Sequence, residues 1–117
     1  METRFLSGRG GAGVAGDYHE FINMNIHDWG TAACVSGTCP HGFYVGLSNY
    51  SLWDGVTIDG SQAGSAQYCF HIYTSNYSTK TGLTIRNSTM RNCASAAIAL
   101  FATDQTLIEN NIIYGGR

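Results

Sequence analysis

The sequence predicts an all-β fold of stacked coils, a parallel β-helix, and three observations carry that expectation. Two families of short apolar segments recur together, at intervals of about 23–28 residues with one longer gap. Inside the first family apolar residues alternate with others, the period of a half-buried strand. The composition is that of a turn-rich β protein: 15 Gly, 12% aromatic residues and only 12% charged residues, about half the usual charge content.

The first family comprises residues 42–49, 69–76 and 97–104, which align without gaps at offsets of 27 and 28. Phe43, Val45 and Leu47, then Phe70, Ile72 and Thr74, then Ile98, Leu100 and Ala102 take the inward positions. The outward positions form two columns, Tyr44/His71/Ala99 and Gly46/Tyr73/Phe101. Each segment closes on Asn49, Asn76 or Asp104, residue types that accept tight turns.

The second family opens at Phe21, Ile58, Ile85 and Ile108, at offsets of 37, 27 and 23. An apolar residue starts each segment, Asn or Gly follows two places on, and an apolar or small residue returns at the fifth. The position at +2 demands a bend, which Asn and Gly tolerate. Coils stacked ~4.8 Å apart place like residues in ladders. The expected ladders are Phe43 over Phe70, a core-adjacent run of Asn23, Asn87 and Asn110 interrupted by Gly60, and a charge column of Asp59, Arg86 and Glu109.

A β-sandwich would join its strands through hairpin turns. Asp54-Gly55 and Asp59-Gly60 instead recur in step with the coil. The phrases His41-Gly42-Phe43-Tyr44-Val45, Gly82-Leu83-Thr84-Ile85-Arg86-Asn87-Ser88 and Ile108-Glu109-Asn110-Asn111-Ile112-Ile113-Tyr114 resemble the pectin-lyase-like superfamily, over about residues 19–116. The resemblance implies a right-handed parallel β-helix, a solenoid of about three to four coils over residues 18–117. Residues 1–17 then form a Gly-rich lead-in or cap. So few coils leave open ends with unpaired backbone and apolar cross-section. The expectation is therefore a segment of a longer β-helix, or a homo-oligomer formed by end or face stacking.

A net charge of −2 with six Lys and Arg offers no basic stripe for phosphates, so nucleic acid is not an expected partner. No apolar run approaches roughly 18 residues, so no membrane span is expected. The opening residues show no charged-then-apolar signal pattern, so the expectation stays open between the cytoplasm and, as the resemblance implies, an extracellular or periplasmic location if a leader was removed. Cys34, Cys39, Cys69 and Cys93 allow three pairings, and the sequence does not choose among them. Without a C-x-x-C pair no metal site is expected, nor is any cofactor. Residues 8–13 match a nucleotide-loop pattern in letters but lack its strand-to-helix setting. Lys80, the single lysine, is expected to be exposed and solvated on a Ser/Thr-rich turn.

The resemblance implies action on acidic polysaccharides, by elimination or by hydrolysis with paired carboxylates. No carboxylate stands in the outward columns of the first family. The reading is therefore a small β-helix module, carbohydrate-binding or self-associating, without an autonomous catalytic site. Tyr44, His71, Tyr73 and Phe101 form its candidate sugar-stacking face, although exposed aromatics also serve simply to stabilise cross-strand pairs. The alternative is a carbohydrate-active enzyme, a polysaccharide lyase, epimerase or hydrolase, whose site is completed by oligomerisation or further coils. Its candidate residues are His27 and Asp28, together with His71 and Arg91.

Overall fold

The computed structural model describes residues 2–4 through their backbone, and residues 12–29, 39–60, 67–74, 76 and 78–115 in full. Cys34 and residues 5–11 of the opening stretch lie outside them. Fifteen short strands run in chain order: β1 Glu2–Arg4, β2 Ala12–Val14, β3 Glu20–Ile22, β4 Asn25–His27, β5 Phe43–Val45, β6 Leu52–Asp54, β7 Thr57–Asp59, β8 Tyr68–Ile72, β9 Lys80–Thr81, β10 Thr84–Arg86, β11 Thr89–Arg91, β12 Ala96–Leu100, β13 Thr103–Asp104, β14 Leu107–Glu109 and β15 Ile112–Tyr114. All pairings between them are parallel.

Three stacked sheets result. Sheet I is β2-β5-β8-β12, sheet II is β3-β6-β10-β14, and sheet III is β1-β4-β7-β11-β15; β9 and β13 make a short fourth pair. The chain visits sheets I, II and III in turn, so four coils follow β1. Strand β2 lies inside the stretch read as a lead-in or cap, and there the Ala12 N–H bonds to Gly42 O at 2.8 Å.

The ladders of sheet I follow the expected register: Phe43 sits on Phe70 and Phe70 on Ile98, while Tyr44 sits on His71 and His71 on Ala99. Sheets II and III differ from expectation. Trp53, not Ile58, stands between Phe21 and Ile85, and Ile58 stacks between Ile26 and Met90. The cause is an insertion. Six residues join sheet I to sheet II in coils II and IV (46–51 and 101–106), but eleven do so in coil III (73–83, including β9). The repeat is therefore 27 between β5 and β8 but 32 between β6 and β10.

That shift re-sorts the expected charge column. Arg86 Nε donates to Asp54 at 2.8 Å, and Arg91 Nε donates to Asp59 at 3.0 Å. Asn87 and Asn92 each donate to the other oxygen of the same Asp, at 3.0 Å. The Asn ladder also moves, from core to surface. Asn23, Asn87 and Asn110 are exposed and hold left-handed turns (φ 52°, 51° and 53°), with Gly55 rather than Gly60 in the missing place. Gly55 takes the same left-handed turn (φ +67°), and a Cβ there would lie 2.5 Å from Asn23 Oδ1, which would have to turn aside.

Inside, Phe43 stacks on Phe70 (5.1 Å between centroids), Phe21 stacks on Trp53 (5.4 Å), and Trp53 meets both Phe43 and Phe70 edge-on. This aromatic block joins sheets I and II, while Ile26, Ile58, Ile85 and Met90 fill the rest at zero exposure. A disulfide links Cys69 at the start of sheet I to Cys93 after sheet III, 24 residues on, and so closes one coil on itself. Cys39 is disulfide-bonded as well. Lys80 reverses its expectation. It is fully buried, because β9 places it at an inward position between coils; its Nζ donates to Phe101 O at 2.9 Å and to Thr74 Oγ1 at 3.3 Å.

Candidate functional site

The outward face of sheet I carries the densest array of functional groups. In strands β5 and β8 alternate side chains point out, so Tyr44 and His71 meet across the ladder with ring centroids 5.3 Å apart. One position further on, Tyr73 lies beside Phe101 at 5.5 Å. His71 is the hub. It packs parallel to Tyr73 (5.3 Å, 6° between planes) and edge-on to Phe101 (5.8 Å). The four residues of the candidate sugar-stacking face are therefore brought together.

Two members of the cluster were not anticipated. His41 lies 4.4 Å from His71 and 5.1 Å from Tyr68, and Tyr68 lies 4.9 Å from His71. A signal for them exists in the sequence: the 27-residue offset that sets Phe43 on Phe70 also sets His41 on Tyr68. The Tyr68 N–H donates to His41 Nδ1 at 3.0 Å, so the neutral imidazole carries its proton on Nε2. Burial, with the nearby His71 adding to it, pushes the His41 pKa down to about 4. Burial lowers His71 too. At neutral pH both rings are uncharged.

Beside the cluster lies a shallow open depression of about 360 Å³, lined by Ala15, Tyr44, Gly46, Leu47, Tyr73, Thr74 and Asn76. Gly46 lines it without a side chain of its own, and a Cβ there would meet only Val14 O, at 3.6 Å. Thr74 and Asn76, which also line it, belong to the longer connection of coil III. Tyr44 and Phe101 are 40% and 42% exposed, so flat apolar rings face solvent next to hydroxyl groups and imidazole nitrogens. Such a surface stacks on the apolar faces of ring compounds and hydrogen-bonds their edges.

The other candidate residues lie elsewhere. His27 and Arg91 are on sheet III, away from His71 on sheet I. His27 Nδ1 lies 3.1 Å from Asp28 Oδ2. Asp59 occupies the coil between the strands of His27 and Arg91 and engages the guanidinium. Hydrogen bonding to Tyr114 and the charge of Asp59 hold Arg91 firmly protonated. Among the described residues no group of three or more His, Cys, Asp and Glu could hold a metal ion, and no helix is long and apolar enough to cross a membrane.

Residues 10–117 match the model of a family described as right handed beta helix region. No curated protein and no solved structure matches the chain.

Proposed function

The chain belongs to the right-handed β-helix family, and from that premise we propose that it is a glycan-binding module whose site is the outward face of sheet I. The observation that supports this reading is the contiguous cluster of His41, Tyr44, Tyr68, His71, Tyr73 and Phe101 bordering the Gly46 depression. Aromatic rings in the open cost free energy unless something covers them. A pyranose ring offers an apolar face of matching size and hydroxyl groups for the tyrosine and imidazole edges. The test is titration calorimetry of the protein against an oligosaccharide panel, repeated with Phe101→Ala and His71→Ala. Binding that weakens in both variants, with unfolding midpoints retained, supports the reading; no binding to any panel member removes it.

A second reading, self-association, is favoured by the C-terminal end of the stack. The inward columns end abruptly there. Met90 has no exposure but Ile113, one coil on, has 57%; Ile85 has none but Ile108 has 40%. We propose a second copy as the group that covers this end. Light scattering on a sizing column should then give at least a dimer, and Ile113→Lys should return it to monomer. A monomeric wild-type protein counts against this reading.

A further inference from the structure

Charge is partitioned among the three sheets. The ion pairs Asp54–Arg86 and Asp59–Arg91 lie on sheets II and III, and the contact between His27 and Asp28 lies on sheet III and its turn. Sheet I shows the opposite. Strands β5, β8 and β12 contain no Asp, Glu, Lys or Arg, and the connections that follow β8 and β12 hold Lys80 and Asp104. Strand β2 is equally free of charge, with Arg9 before it in the sequence and Asp17 after it, where Asp17 accepts from Asn49. The segment of residues 61–66 that leads toward β8 adds none.

We infer that the face of sheet I takes uncharged glycans and turns away uronates; this rests on the glycan-binding reading. A carboxylate laid on the cluster loses hydration and finds, among the described residues, no guanidinium or ammonium in contact to replace it. Among the described residues Lys80 is the cation that contacts the cluster, but it is buried, and its ammonium is engaged by Phe101 O and Thr74 Oγ1. Thr74 Oγ1 in turn donates to Ser78 O at 3.3 Å, so a ligand carboxylate would have to break this chain of bonds to reach Nζ. Among the described residues the titratable groups in ring contact with His71 are His41, Tyr44, Tyr68 and Tyr73. All four offer hydroxyl groups or ring nitrogens that donate and accept hydrogen bonds, suited to the hydroxyl groups of a sugar.

The experiment is binding of the full chain to an array of neutral and uronate oligosaccharides of matched linkage at pH 7.5, alongside the variant Leu47→Lys. Leu47 is half exposed on the rim of the depression, so the substitution adds a cation without disturbing the core. The expected result is retention of neutral oligosaccharides, with uronates weaker by about tenfold or more, and recovery of uronate binding in Leu47→Lys. Uronates bound as tightly as neutral glycans by the wild-type protein would overturn the inference while leaving the glycan-binding reading intact. Failure of every glycan to bind either protein would remove the reading itself, and the inference with it.

Discussion

His41 and His71 lie with ring centroids 4.4 Å apart, an imidazole pair enclosed by tyrosines with no carboxylate among the described residues to share a proton. His41 protonates near 6.5 in an unfolded chain but only near 4 in the folded one. Between those values the unfolded state binds more protons, so stability falls as pH drops from about 6.5 toward 4 and is level above 7. The loss should reach up to about 3 kcal/mol. Urea midpoints measured from pH 7.5 to 4.5 test this, with His41→Asn expected to flatten much of the slope. A wild-type midpoint indifferent to pH over that range would show that the pair is not buried as described.

Gly42 and Gly46 flank β5 but stand in unlike surroundings. A Cβ at Gly42 would lie 2.5 Å from Cys69 O and 2.9 Å from Ile58 Cγ2, whereas at Gly46 it meets only Val14 O at 3.6 Å. Gly42→Ala should therefore cost on the order of 2–3 kcal/mol, since backbone must move to admit the methyl. Gly46→Val should fold normally, fill the depression between Tyr44 and Tyr73, and abolish glycan binding. Thermal melts and calorimetry on the two variants separate these outcomes. Unchanged affinity in Gly46→Val would place the ligand elsewhere.

The sheet I ladders were legible because nothing interrupts the path that relates them: Phe43, Phe70 and Ile98 follow at 27 and 28 residues, and Tyr44 and His71 share their frame. Carrying the 27-residue offset into sheet II placed Asp59 with Arg86. Two Asp-Gly pairs, at 54–55 and 59–60, and two Arg-Asn pairs, at 86–87 and 91–92, make the segments self-similar at a shift of five. The insertion in coil III is also five residues long, so a wrong register still matched Asp to Arg. Trp53, at the head of its segment, was the residue that marked the true alignment. The inward course of Lys80 escaped for a related reason. Its position inside the inserted loop has no counterpart of equal length in coils II or IV, so no column indicated which way it points.

The Cys69–Cys93 disulfide closes a loop of 24 residues, nearly one coil. Cross-linking a loop of that size removes unfolded-state entropy worth about 3 kcal/mol. Cys69→Ala with Cys93→Ala should lower the unfolding free energy by about that amount. Cys69 adjoins Tyr68, whose N–H holds His41, so glycan affinity should fall alongside stability. Chemical denaturation of the double variant checks the first effect, and titration of the same sample checks the second. Full stability without the bond would mean that coil III is held by packing alone.

Lys80 is the least economical residue in the core. It sits at zero exposure on an inward position, and its two partners, Phe101 O and Thr74 Oγ1, are both uncharged. Desolvation lowers its pKa below the usual lysine value, so the unfolded chain holds that proton more tightly and stability rises as pH climbs toward 10.5. Replacing a buried cation that lacks a counter-ion by an apolar side chain of similar length is often neutral or stabilising. Lys80→Met should therefore keep or raise the melting temperature at pH 7 and erase the lysine part of the alkaline rise. It should also loosen Phe101, because the bond to its carbonyl is lost, and so weaken glycan binding without unfolding the coil. A marked fall in melting temperature for Lys80→Met would show instead that the ammonium's two hydrogen bonds outweigh its desolvation.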